Sequence, residues 1–134
     1  MKYNPVVHFE MPYGDANRVA MFYEKAFGWK MNKTAPEYGG YVTAATTETD
    51  EKRMVKTPGT INGGFYPNSP DVPGPKTPRV IVSVEDIAAA MKDVKAAGGK
   101  VIAEPVDIPM IGKWVNFTDS EGNPVGLLQA APRQ

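Results

Sequence analysis

VHFEMPYGDANRVAMFYEKAFG, residues 7–28, and PRVIVSVEDIAAAMKDVKAAGG, residues 78–99, carry one order of signals twice. Each opens with an alternating apolar segment and passes through an aspartate into a helical pattern. Each then stops at glycine. Asp15 and Asp86 stand 71 residues apart, and so do Gly28 and Gly99. Side-chain identity is weak, but a shared order of signals at a fixed offset is what an internal repeat leaves behind. In the first copy Val19, Phe22, Tyr23, Ala26 and Phe27 recur at helical spacing, predicting a helix over about 15–27. Asp15 suits the N-cap because its carboxylate accepts orphan backbone N–H groups, and Gly28 suits the stop because it tolerates positive φ. Tyr23 and Phe27 are expected in the core. In the second copy Ile87, Ala90, Met91 and Val94 form the stripe of a helix over about 85–97, with Gly98 and Gly99 ending it.

Working outward, three strand-like segments follow each helix. They are about 29–33, 41–46 and 60–66 in the first copy, and about 101–106, 113–118 and 124–129 in the second. Five prolines fall within residues 67–78, which excludes helix and central strand there and marks a connection. Residues 47–56, TETDEKRMVK, read as an exposed hairpin loop, and residues 119–123 as a turn. The prediction is an α+β fold: two βαβββ modules in tandem, forming a curved mixed sheet with a concave cleft. One domain over 1–134 would hold module 1 (about 3–66), a linker (67–78) and module 2 (about 79–130).

Composition narrows the function. The 134 residues are 42% apolar, enough for a real core in one domain. Fifteen Lys and Arg residues balance fifteen Asp and Glu. A neutral chain without a basic stripe argues against nucleic acid or an anionic membrane as partner. No stretch approaches the ~20 apolar residues of a membrane span, and residues 1–5 show no apolar leader. With no cysteine, thiol catalysis and thiolate metal sites are excluded, and a cytoplasmic setting is expected. No glycine-rich phosphate loop or nucleophile motif is present.

Strand alternation sorts the faces, because residues i and i+2 share a side. Val7, Phe9 and Met11 are expected to pack under the helix, which sends His8 and Glu10 to the opposite face. Val80, Val82 and Val84 pack likewise, so Arg79, Ile81 and Ser83 face away. Ile61, Gly63 and Phe65 pack; Asn62, Gly64 and Tyr66 do not. Val115, Phe117, Val125 and Leu127 pack, leaving Trp114, Asn116, Thr118, Gly126 and Leu128 opposite. Tyr41 and Thr43 join that second set. The opposite face then carries His8 and Glu10 as candidate catalytic groups. Arg79, Trp114, Asn116, Asn62, Tyr41 and Ser83 are candidate ligand-binding groups. Aromatic walls with a few convergent polar groups are what small-molecule sites are made of. Gly64 and Gly126 are expected to leave open floor. Structural roles are also open to these residues: a hydrogen-bonded histidine beside Glu10, an Arg79–Glu10 ion pair, a packed Trp114.

The chain resembles the vicinal oxygen chelate superfamily: glyoxalase I, bleomycin-resistance proteins and extradiol dioxygenases. The likeness rests on Val7-His8-Phe9 leading to Phe22-Tyr23…Phe27-Gly28-Trp29, on Asn62-Gly63-Gly64-Phe65, on Val82-Ser83-Val84-Glu85-Asp86, and on residues 117–124. It implies the glyoxalase/bleomycin-resistance-like fold and, in the superfamily's metal enzymes, a divalent ion held by inner strand positions. Those positions match His8, Arg79 and Gly126, with a further one near Asn62-Gly63-Gly64. A guanidinium does not ligate a metal, and glycine has no side chain to do so. No metal site and no cofactor are therefore expected, a divalent metal on His8 being the alternative. The expected function is metal-independent small-molecule binding, with an anionic or aromatic ligand. The alternatives are a metal-dependent lyase, isomerase or dioxygenase using His8, and a metal-free enzyme with His8 as general base. A homodimer is expected from the resemblance.

Overall fold

In the computed structural model, which describes residues 3–132, both aspartates cap their helices as expected. Helix α1 spans Ala16–Phe27. The Asp15 carboxylate accepts from the Arg18 N–H, and Gly28 ends the helix in the left-handed region at φ 71°. Helix α2 spans Ile87–Ala96, with Asp86 accepting from the Ala89 N–H. Its first N–H, on Ile87, donates to the Gln129 side chain across 42 positions of sequence, at 2.9 Å. That bond satisfies a group which helix geometry leaves orphaned.

Among the described residues nine strands accompany the two α-helices: β1 (Val6–Tyr13), β2 (Lys30–Lys33), β3 (Val42–Ala45), β4 (Asn62–Pro67), β5 (Arg79–Ser83), β6 (Lys100–Val101), β7 (Val106–Ile108), β8 (Gly112–Thr118) and β9 (Pro124–Ala130). They group into two compact units, residues 8–69 and residues 70–132 with 3–7. In the first unit the strand order is β2-β3-β4-β1, with β1 and β4 parallel and the other pairs antiparallel. In the second it is β5-β9-β8-β6, β7 also pairing with β8, and β5 and β9 are the parallel pair. The mixture follows from the connections: α1 or α2 makes the crossover that a parallel neighbour demands. The segment predicted as one strand over 101–106 is two, β6 and β7. Pro105, which has no N–H for the ladder, lies in the gap.

Each unit has its own apolar cluster on the helix side. Val42, Ala44 and Phe65 are buried in the first, packed by Phe9, Met11, Val19, Tyr23 and Trp29. Val84, Ile87, Val115 and Leu127 are buried in the second, packed by Val82, Ala90, Met91, Val94 and Phe117. Alternation therefore sorts the faces as expected from Phe9 and Val82 onward. Val7 and Val80, near the starts of their strands, lie outside the clusters and are exposed. Phe27 corrects the expected core. It is the last residue of α1, the chain reverses at Gly28, and no further turn covers the ring, which is 65% exposed. Tyr23 is in the core as expected, stacked on Trp29 at 4.6 Å, with Phe65 5.1 Å from it. Truncating Phe65 to Ala should cost about 3–5 kcal/mol. Phe27→Ser should cost under about 1 kcal/mol by urea denaturation, since most of its ring is already in water.

Candidate functional site

On the opposite face, each unit places an aromatic side chain over a glycine and against the basic residue of its first strand. In the unit of residues 8–69, register sets Gly64 beside Glu10 of β1 and Thr43 of β3. Tyr41, two residues before Thr43, reaches diagonally over Gly64, where a Cβ would meet its hydroxyl at 2.1 Å. That hydroxyl is 2.9 Å from His8 Nε2. In the unit of residues 70–132, Gly126 stands beside Ile81 of β5 and Asn116 of β8. Trp114, two residues before Asn116, lies over that glycine, its Nε1 3.0 Å from where a Cβ would be. The Arg79 guanidinium lies over the Trp114 ring, 5.2 Å from its centroid. Diagonal cross-strand neighbours are within reach of aromatic side chains, so register alone explains both contacts.

The expected open floor is therefore filled. At Gly64 the Tyr41 ring takes the space, and at Gly126 the Ile81 δ-methyl comes within 2.4 Å of the Cβ position. Gly64 is needed because a side chain would collide with the Tyr41 ring, while at Gly126 a side chain would have to displace Ile81. The clue in sequence was the repeated pattern of an aromatic two residues before the position opposite a glycine.

The first unit's predicted residues meet different fates. Asn62 is committed to backbone: its Oδ1 accepts from the Thr46 and Thr47 N–H groups at 2.8 and 3.1 Å. It thus ties off the end of β3. Glu10 is buried and close enough to act on His8. Burial holds the His8 imidazole below its usual range, and the Glu10 charge opposes that shift only partly. His8 is therefore neutral near pH 7, with one ring nitrogen engaged by Tyr41.

In the second unit, Arg79 and Asn116 are buried and Trp114 and Ser83 half-buried. The Ser83 N–H bonds the Pro5 carbonyl. Asn116 is wholly out of solvent at 0% exposure, yet neither its Nδ2 nor its Oδ1 has a hydrogen-bond partner. The Trp114 Nε1–H is buried and unpartnered too. Arg79 meets the face of the indole, which leaves its N–H unserved.

The sequence model of the Glyoxalase/Bleomycin resistance protein/Dioxygenase superfamily matches residues 6–127. The chain belongs to this superfamily. CFP32 of Mycobacterium bovis, which carries a glyoxylase name, is 41% identical over 74 residues, 55% of this chain and 28% of that protein. A lactoylglutathione lyase of Oryza sativa subsp. japonica is 29% identical over 134 residues, 95% of this chain and 45% of the lyase. The chain spans less than half the length of either relative. A methylmalonyl-CoA epimerase from Streptomyces coelicolor shares the fold, with a TM-score of 0.69 at 17% identity over 99% of each chain.

Apart from His8, the residues at the positions matching the superfamily's metal ligands offer no free donor. Arg79 is a cation, Gly126 and Gly64 have no donor, and Asn62 Oδ1 already accepts two N–H groups. Among the described residues no three His, Asp or Glu side chains converge. A catalytic metal ordinarily takes three protein ligands.

The neutral His8 sets a pH dependence. The unfolded chain's imidazole, with a pKa of about 6.5, takes up a proton before the folded one does. Stability should therefore fall as pH drops below about 6.5 and level off below the folded value. The lowered carboxyls of Asp15 and Asp119 act only below the ordinary carboxylate range, so they do not mask this slope. Urea midpoints measured from about pH 7 to 5 should show the loss, and His8→Gln should flatten it.

Proposed function

We propose that the chain is a small-molecule-binding protein of the glyoxalase/bleomycin-resistance type that works without a bound metal and takes an anionic or aromatic ligand. The observation carrying this is the Arg79 guanidinium over the Trp114 ring. A guanidinium held over an indole is oriented and partly desolvated, a state suited to planar anions and aromatic rings. It stands where the superfamily's metal enzymes keep a ligand, so one fixed cation takes the place of another. Binding of a carboxylate to such a group is bidentate and charge-assisted.

A second function is supported by a different contact. His8, neutral and bonded to Tyr41, is in the protonation state a general base needs. On this basis the bound molecule would lose a proton to His8, with no metal involved. The proposal includes a homodimer. Met21, Phe22 and Phe27 are each more than half exposed on α1, and the rice relative has room in one chain for about two such domains.

Aromatic carboxylates such as benzoate should raise the melting temperature of the chain. Arg79→Met should weaken that binding roughly tenfold or more, the loss expected for a charged hydrogen bond. Absence of any shift with aromatic acids or neutral aromatics would remove the binding function. Turnover of a bound ligand that survives in Arg79→Met but disappears in His8→Gln would move the assignment to proton transfer.

A further inference from the structure

Trp114 and Asn116 present three unpartnered buried atoms around Gly126, two donors and one acceptor. The Trp114 Nε1 and the Asn116 Oδ1 lie 3.0 and 3.6 Å from one point, the Cβ position of Gly126. Buried polar atoms without partners are rare, and each needs an explanation. The corresponding place in the first unit needs none, because there the aromatic's polar atom, the Tyr41 hydroxyl, meets His8. The two repeats thus differ in one respect: the second holds its hydrogen-bonding capacity unused.

We infer that the Asn116 amide and the Trp114 indole N–H form a recognition edge for a ligand carrying an adjacent N–H and C=O, such as a primary carboxamide, a lactam or an imide ring. The inference rests on the binding function proposed above and narrows its ligand from any anion or aromatic to an aromatic that carries an amide edge. An amide edge is the complement of the Asn116 amide. The ligand carbonyl accepts from Asn116 Nδ2–H and Trp114 Nε1–H, while the ligand N–H donates to Asn116 Oδ1. A carboxylate offers acceptors only and would leave Asn116 Oδ1 facing another lone pair. An N,N-dialkylated amide offers no donor. In the free chain the Ile81 δ-methyl lies close to that point, so Ile81 must move aside for a ligand to reach the edge.

An edge of this kind is costly to keep when empty, and that cost gives the test its sign. Replacing Asn116 by leucine, the apolar residue of the same branched shape, removes two orphaned atoms, which is neutral or stabilising when nothing was bonded to them. Asn116→Leu should therefore match or exceed the melting temperature of the parent, by up to about 5 °C. The probes are benzamide, N,N-dimethylbenzamide and benzoate, titrated by calorimetry and thermal shift against the parent and Asn116→Leu. Benzamide should bind the parent at least tenfold more tightly than its dimethyl analogue, and Asn116→Leu should abolish that preference. Trp114→Phe, which keeps a ring for Arg79 but loses the N–H, should weaken both amides, since each offers the carbonyl, and leave the preference between them. Equal binding of the two amides, or a preference surviving in Asn116→Leu, overturns the inference. A crystal structure with one water bridging Asn116 and Trp114, together with no benzamide binding, overturns it as well. If benzoate still binds in those cases, the anion-binding function stands without the amide edge; if no probe binds, both fall.

Discussion

The pleat of the strands is the constraint on which the rest depends. Because side chains alternate, one sheet face in each unit goes mainly to the apolar cluster under its helix. Whatever chemistry the chain has must come from the alternate positions. Register then decides which of those positions meet. Gly64 and Gly126 hold equivalent places, each opposite a polar residue whose second predecessor is aromatic. The small residue and the large one are a single packing unit, since the ring lies where a side chain at the glycine would be. From that unit follow the contact of Tyr41 with His8 and the contact of Trp114 with Arg79.

Much of this was legible in the sequence, and the reasons are physical. The caps at Asp15, Asp86 and Gly28 announce themselves because the residue types that satisfy helix ends are few. Face assignment from Phe9 and Val82 onward needed only a period of two. What was not legible depends on position relative to other elements. Phe27 has the right helical phase for burial and is exposed because its helix ends there. Residues 101–106 carry strand-like residues, and the break shows only as one proline. Asn62 looked free for a ligand because nothing local reveals that the N–H groups of Thr46 and Thr47 will arrive at its carbonyl. The filled space above the glycines was hidden for the same reason: it depends on diagonal neighbours, not on sequence neighbours.

The two repeats have diverged where chemistry is concerned and not where packing is. Both keep the capped helix, the apolar cluster and the roofed glycine. One has placed a neutral, half-buried imidazole beside a phenol hydroxyl; the other has placed a buried guanidinium on an indole above an unsatisfied amide. Unsatisfied polar atoms lower stability, and a fold tolerates them most readily where function gains from them. Of the positions that match the superfamily's metal ligands, Gly126 is packing space and Arg79 a fixed charge, while His8 keeps a nitrogen donor.

We propose that the protein's own charge and hydrogen-bonding groups stand in for a metal, and a divalent-metal titration tests this. Nickel, zinc, manganese and ferrous iron, each followed by calorimetry on the purified chain, should give no stoichiometric uptake, because His8 alone supplies too few donors. Tight binding of one metal ion per chain, lost in His8→Ala, would contradict the account.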